Sequence, residues 1–152
     1  MNEIENKNKL LKEYVINLLS KAHTEYLLIK RILYKEKNQF IKQKQYKYIL
    51  FIKKFLKKMF NLNKLNINFK SNEEILNEFF IKQDFFNEND FKQINEILLK
   101  SGKIFQEMLK LKLYLSYSLL MYGIISRIYI IFDYLLKNNK KIKNSIIKNK
   151  NI

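Results

Sequence analysis

An all-α fold is what this sequence predicts, and three features of its 152 residues point there. It has no proline and only two glycines, so almost nothing interrupts a helix. Apolar residues recur at helical spacing over long stretches. Side chains suited to helix starts stand in front of two of those stretches. The expected architecture is one domain, residues 1–136, a bundle of about five helices with long first, second and fifth members. Residues 137–152 are expected to form a basic, disordered tail.

The first helix spans about residues 7–34, where Leu11, Tyr14, Leu18, Ala22, Ile29 and Leu33 fall near one stripe. The second covers residues 37–60. At about 100° per residue, Ile41, Tyr48, Ile52, Phe55, Leu56 and Met59 share one of its faces, and Lys42, Lys47, Lys53, Lys54, Lys57 and Lys58 lie opposite. Residues 35–39 between the two are either a tight turn or a continuous helical bridge. Residues 61–70 hold four asparagines and no stripe, so they read as a loop. Ser71 and Glu74 form a capping box, the hydroxyl accepting from an early backbone N–H while the carboxylate reaches back. That box opens a short third helix ending near residue 82. Asn87 and Asp90 announce a fourth, running to about residue 100 or beyond Gly102. Residues 73–107 hold eight acids and four lysines, so this part is expected to sit away from a polyanion or to face a basic protein neighbour.

The fifth helix, residues 113–136, is the most apolar. From Leu113 to Phe132 its single charge is Arg127, over a span of membrane-crossing length. Tyrosines and serines dilute that span, and a guanidinium inside lipid is costly. It is therefore read as the centre of a soluble bundle, apolar on all sides. A buried Arg127 needs a partner, either an acid such as Glu13, Glu25 or Asp133, or an RNA phosphate. Residues 137–152 carry six lysines and five asparagines without a stripe, suited to non-specific phosphate affinity.

Lys and Arg number 30 against 14 acids, for a formal charge of +16 and a pI near 9.8. Such a field draws nucleic acid, anionic membrane or acidic protein. Its concentration favours RNA: residues 30–58 hold eleven basic side chains and one acid, Glu36. Cysteine is absent, which excludes disulfides and thiolate metal sites. His23 is the one histidine and stands in no ligand pattern, so no metal site is expected. Gly102 and Gly123 stand alone, leaving no phosphate-cradling loop. Asn87, Asn89 and Asp90 are explained as helix-start residues. With no nucleophile–base pair in view, neither catalysis nor a cofactor is expected. The N-terminus is too polar for a secretory signal, and its acids argue against a mitochondrial one.

ILYKEKNQ, between an apolar helix and a basic one, is similar to a motif of the RNase MRP-specific protein subunit and nucleolus and neural progenitor protein family. In that family a leucine-rich helix runs into Leu-(Tyr)-Lys/Arg-Asn-Lys-Asn-Gln-His-Arg and then a basic helix. Leu33, Tyr34, Lys35, Lys37, Asn38 and Gln39 match. Phe40 and Ile41 replace the His and Arg, so contacts through those two are not carried over. Ser126, Arg127 and Ile128 resemble a second family feature, and the chain's two arginines, Arg31 and Arg127, both fall in resembling segments. The resemblance implies a non-catalytic subunit of the RNase MRP ribonucleoprotein, nuclear and nucleolar, acting in pre-rRNA processing with the MRP RNA and its other protein subunits. Arg31, Lys35, Lys37, Lys42, Lys47, Lys53, Lys54, Lys57 and Lys58 would then meet phosphates. Asn38 and Gln39 would either contact bases and 2′-hydroxyls or cap the junction between two helices. The alternative is a helical interaction or membrane-associated protein using the basic helix and the apolar span.

Overall fold

The computed structural model describes residues 3–40, 43–61, 74, 76 and 88–150. Five helices are described: α1 (Glu3–Phe40), α2 (Lys44–Asn61), α3 (Glu88–Lys110), α4 (Leu115–Lys137) and α5 (Asn139–Lys150). Among the described residues there is no strand, so the all-α expectation holds. Helix α1 is 38 residues long and carries residues 35–39 within it, so the bridge reading holds up to Phe40 and the change of direction follows it. Helix α3 continues past Gly102, whose added Cβ would meet Ile125 Cγ2 of α4 at an ordinary 3.7 Å. The expected short third helix falls mostly outside the described residues; of it, Glu74 and Leu76 are helical, and Leu76 is buried.

Two antiparallel hairpins build the bundle. In the first, Tyr26 of α1 lies 6.2 Å from Phe60 near the end of α2, ring centre to ring centre. In the second, Phe105 and Tyr117 pair at one end of α3 and α4, at 5.7 Å, and Phe91 and Phe132 at the other, at 5.8 Å. Gln45 at the start of α2 donates through Nε2 to Sδ of Met108 near the end of α3. Both hairpin turns therefore lie at the same end of the molecule. The core is a continuous layer that includes Leu19, Ile29, Ile52, Leu56, Phe91, Ile124 and Phe132, all nearly inaccessible to water.

Residues 139–150 are helical, not disordered. Asn139, Ile142, Ser145 and Ile146 are buried, and the spacing of these four makes a narrow stripe that packs on α1 and α4. Only two of the four are aliphatic, which is why no stripe stands out in so lysine-rich a segment. The Asn138 amides, backbone N–H and side-chain Nδ2, both donate to the carbonyl of Tyr134, closing α4 just before α5 begins.

The turn at residues 111–114 contains two left-handed residues without glycine, Lys112 at φ 56° and Tyr114 at φ 43°. Leu113 N–H donates to Met108 O (2.9 Å) and Lys112 N–H to Leu109 O (3.1 Å), the paired bonds of a Schellman ending. A side chain at Lys112 opposes that conformation. Lys112→Gly is expected to raise the unfolding free energy by about 1 kcal/mol in urea titration; a lower value would mean the lysine side chain holds the turn.

Helix α4 is not the all-round buried centre expected. Its inner face, including Met121, Ile124, Ile128 and Phe132, is buried, whereas Leu115 (54%), Leu119 (61%), Leu120 (46%) and Ile130 (65%) face solvent. By length and composition it is the one helix among the described residues able to cross a membrane.

Candidate nucleic-acid interface

Helix α2 has no acid in its 18 residues, and its lysines sort away from the core. Ile49, Ile52, Leu56, Met59 and Phe60 are buried, while Lys44, Lys47, Lys54, Lys57 and Lys58 are exposed and Lys53 half-buried. The cationic strip expected on this helix is therefore present on its surface. On α1, Lys30, Arg31 and Lys35 are exposed as well.

The hairpin brings some of these side chains together. Lys30, Arg31 and Tyr34 of α1 and Lys53 of α2 line one open groove of about 540 Å³, whose floor includes Leu33, Tyr46 and Leu50. Among the described residues, neither Lys30, Arg31 nor Lys53 is ion-paired. Lys54 and Lys58 instead line a second groove, together with Phe51, Phe55, Gln93 and Asp90. The acidic middle segment is expected to sit away from a polyanion or to face a basic protein neighbour, yet its Asp90 lies beside the basic helix of this same chain. Its carboxylate offsets the charge beside Lys54 and Lys58, so that among the described residues the positive surface without a facing acid lies toward the Arg31 end. Lys47 and Lys57 are exposed on α2 outside both grooves.

Lys37, Asn38 and Gln39 belong by their backbone to the last turn of α1, and their side chains lie outside what is described, as does all of Lys42. Lys30 and Tyr34 do not stand out as binding residues from sequence. The signal is nonetheless present in their spacing: positions 27, 30, 31 and 34 share one helical face, and Leu27 (48%) and Tyr34 (88%) are exposed on it.

Arg127 has found its acid. Its guanidinium grips Glu25 of α1 with two bonds, Nε to Oε1 and Nη2 to Oε2, the second at 3.1 Å. The bond to Glu25 and its charge raise the arginine's pKa against the opposing effect of burial. Glu25 is buried, yet the Arg127 side chain remains 52% exposed. Gly123, one turn earlier, leaves the guanidinium its room: an added Cβ would stand 3.2 Å from Nη1.

His23 packs edge-on against Phe60, ring centres 5.0 Å apart, and burial lowers its pKa below 6.5. The folded state therefore prefers the neutral imidazole, and below pH 6.5 the unfolded chain binds the proton more readily. Stability is expected to be level above about pH 7 and to fall as pH drops through the unfolded value. His23→Gln should abolish that part of the difference between urea midpoints at pH 8 and pH 5. Among the described residues, no three of His, Cys, Asp and Glu gather as a metal set would require.

No protein-family profile, curated protein or solved structure matches the chain.

Proposed function

We propose that the chain is a non-catalytic RNA-binding protein, a subunit of an RNase MRP-type ribonucleoprotein acting in pre-rRNA processing in the nucleolus. The observation that carries the RNA-binding part is the exposed cationic surface of the α1–α2 hairpin, from Lys30 and Arg31 across to Lys47, Lys53 and Lys57, none of them ion-paired among the described residues. Six lysines and no acid on α2 form a strip along one rigid element, the arrangement that tracks a phosphate backbone. The more specific assignment rests on the resemblance of the Leu33–Gln39 motif, which falls near the end of α1. Its partners would be the MRP RNA and the neighbouring protein subunits.

Replacing Lys47, Lys53, Lys54 and Lys57 with glutamine is expected to weaken binding to all RNA sequences together. The slope of log K against log salt should fall by roughly 0.7 for each single-strand phosphate no longer neutralised. An unchanged slope would put the RNA elsewhere. Affinity purification with sequencing of the recovered RNA tests the ribonucleoprotein: one enriched MRP-like RNA is expected, and a random RNA population would refute the assignment.

A second reading, a helical protein held at a membrane surface, draws on the exposed outer face of α4. Retention in the membrane fraction after a high-salt wash would favour it over RNA.

A further inference from the structure

We infer that the groove between α1 and α2 is a site for an unpaired nucleobase of single-stranded RNA, with Tyr34 as its stacking platform. This inference rests on the RNA-binding reading and adds to it which state of the RNA the protein selects. Three observations carry it. Tyr34 is 88% exposed on a well-formed helix, a large aromatic side chain held out from the bundle. The groove below it has an apolar floor, with Leu33 and Tyr46 each over nine-tenths buried and Leu50 partly so. Around the rim stand Lys30, Arg31 and Lys53, none ion-paired among the described residues.

An apolar slot with an aromatic wall and a cationic rim is complementary to one nucleotide: a flat π-surface against ring and floor, a phosphate against the rim. The volume of about 540 Å³ is within the range of clefts that hold small ligands, roughly 300–1,000 Å³. A duplex cannot use such a slot, because its bases are stacked on each other and A-form geometry hides their major-groove edges. Every base has a π-face, so stacking on tyrosine is tolerant of sequence. The groove therefore discriminates by strandedness and leaves sequence discrimination to other contacts. Arg31 can add a planar, bidentate grip on phosphate that a lysine cannot.

The test uses the full chain with a 12-nucleotide oligouridine, a 12-nucleotide oligoadenosine and a 12-base-pair RNA duplex. Tyr34→Ala is expected to weaken both single strands by roughly 5- to 150-fold and leave the duplex unchanged. Tyr34→Phe should retain wild-type affinity, since the ring and not the hydroxyl does the stacking. Because Tyr34 is so exposed, both variants should unfold like the wild type, and a urea titration checks this. Arg31→Gln should lower the salt slope on the single strands, whereas Tyr34→Ala should not. If Tyr34→Ala binds all three RNAs as the wild type does while the α2 lysine variants lose affinity, the groove proposal fails and the RNA reading stands. If the wild type binds none of them, both fall. Loss of phosphatidylserine-vesicle binding in Tyr34→Ala, with oligonucleotide affinity intact, would assign the groove to a lipid headgroup and overturn the proposal.

Discussion

Phe132→Ala is expected to lower the unfolding free energy by about 3–5 kcal/mol, the largest single loss among the substitutions considered. Phe132 is completely buried and packs edge-on against Phe55 of α2, at 5.7 Å, and against Phe91 of α3, at 5.8 Å. One ring thus joins three helices. Its removal takes away the transfer free energy of the side chain, leaves a void between elements that cannot all close on it, and breaks two aromatic pairs. Phe132→Leu keeps most of the volume and should cost less than Phe132→Ala, by more than 1 kcal/mol on the order of these effects. Urea titration monitored by far-ultraviolet circular dichroism gives both values. Equal, small losses would mean that α2 and α3 do not meet at this ring.

The second large effect is expected at the Glu25–Arg127 pair. Arg127→Met should destabilise the fold by about 1–3 kcal/mol, because it leaves a buried carboxylate without its bidentate partner. The upper end for a fully buried pair is out of reach, since the arginine is half exposed and water can approach the site. Glu25→Gln combined with Arg127→Met should recover part of the loss, giving a coupling of about 0.5–3 kcal/mol in a double-mutant cycle. Arg127→Lys should fall between wild type and Arg127→Met, as an ammonium cannot form the parallel pair of bonds. Strict additivity of the two single substitutions would show that the pair is not a stabilising unit.

Arg127 also shows how far the sequence can be read. A lone guanidinium in an apolar span announces that a partner exists, and Glu25 is one of three acids within reach by sequence. Only packing α1 against α4 chooses among them. Helix α4 shows the opposite case. Its composition is apolar on every side, so periodicity cannot distinguish the buried Ile128 from the exposed Ile130, and the outer face is invisible in the sequence. Helix α5 escapes a sequence reading because lysine and asparagine conceal a stripe of only two isoleucines. The strip on α2 is legible, since Ile and Leu alternate with lysine at a clear helical period. The groove is not: it depends on Tyr34 and Lys53 coming together from separate helices, and no spacing within one element encodes that.

The antiparallel placement of α1 against α4 has a consequence for how the chain is made. Tyr14 meets Tyr134 and Glu25 meets Arg127, so α1 is completed by residues translated at least 102 positions later. Synthesis proceeds at roughly 5–20 residues per second, and the 102 residues separating Glu25 from Arg127 take several seconds to tens of seconds to add. During that interval α2 can cover Tyr26, but Tyr14 waits for Tyr134 and Glu25 for Arg127. The nascent α1–α2 segment is therefore a natural client for a holding chaperone, and premature termination anywhere before α4 would release a chain in which the face of α1 that meets α4 stays open to aggregation.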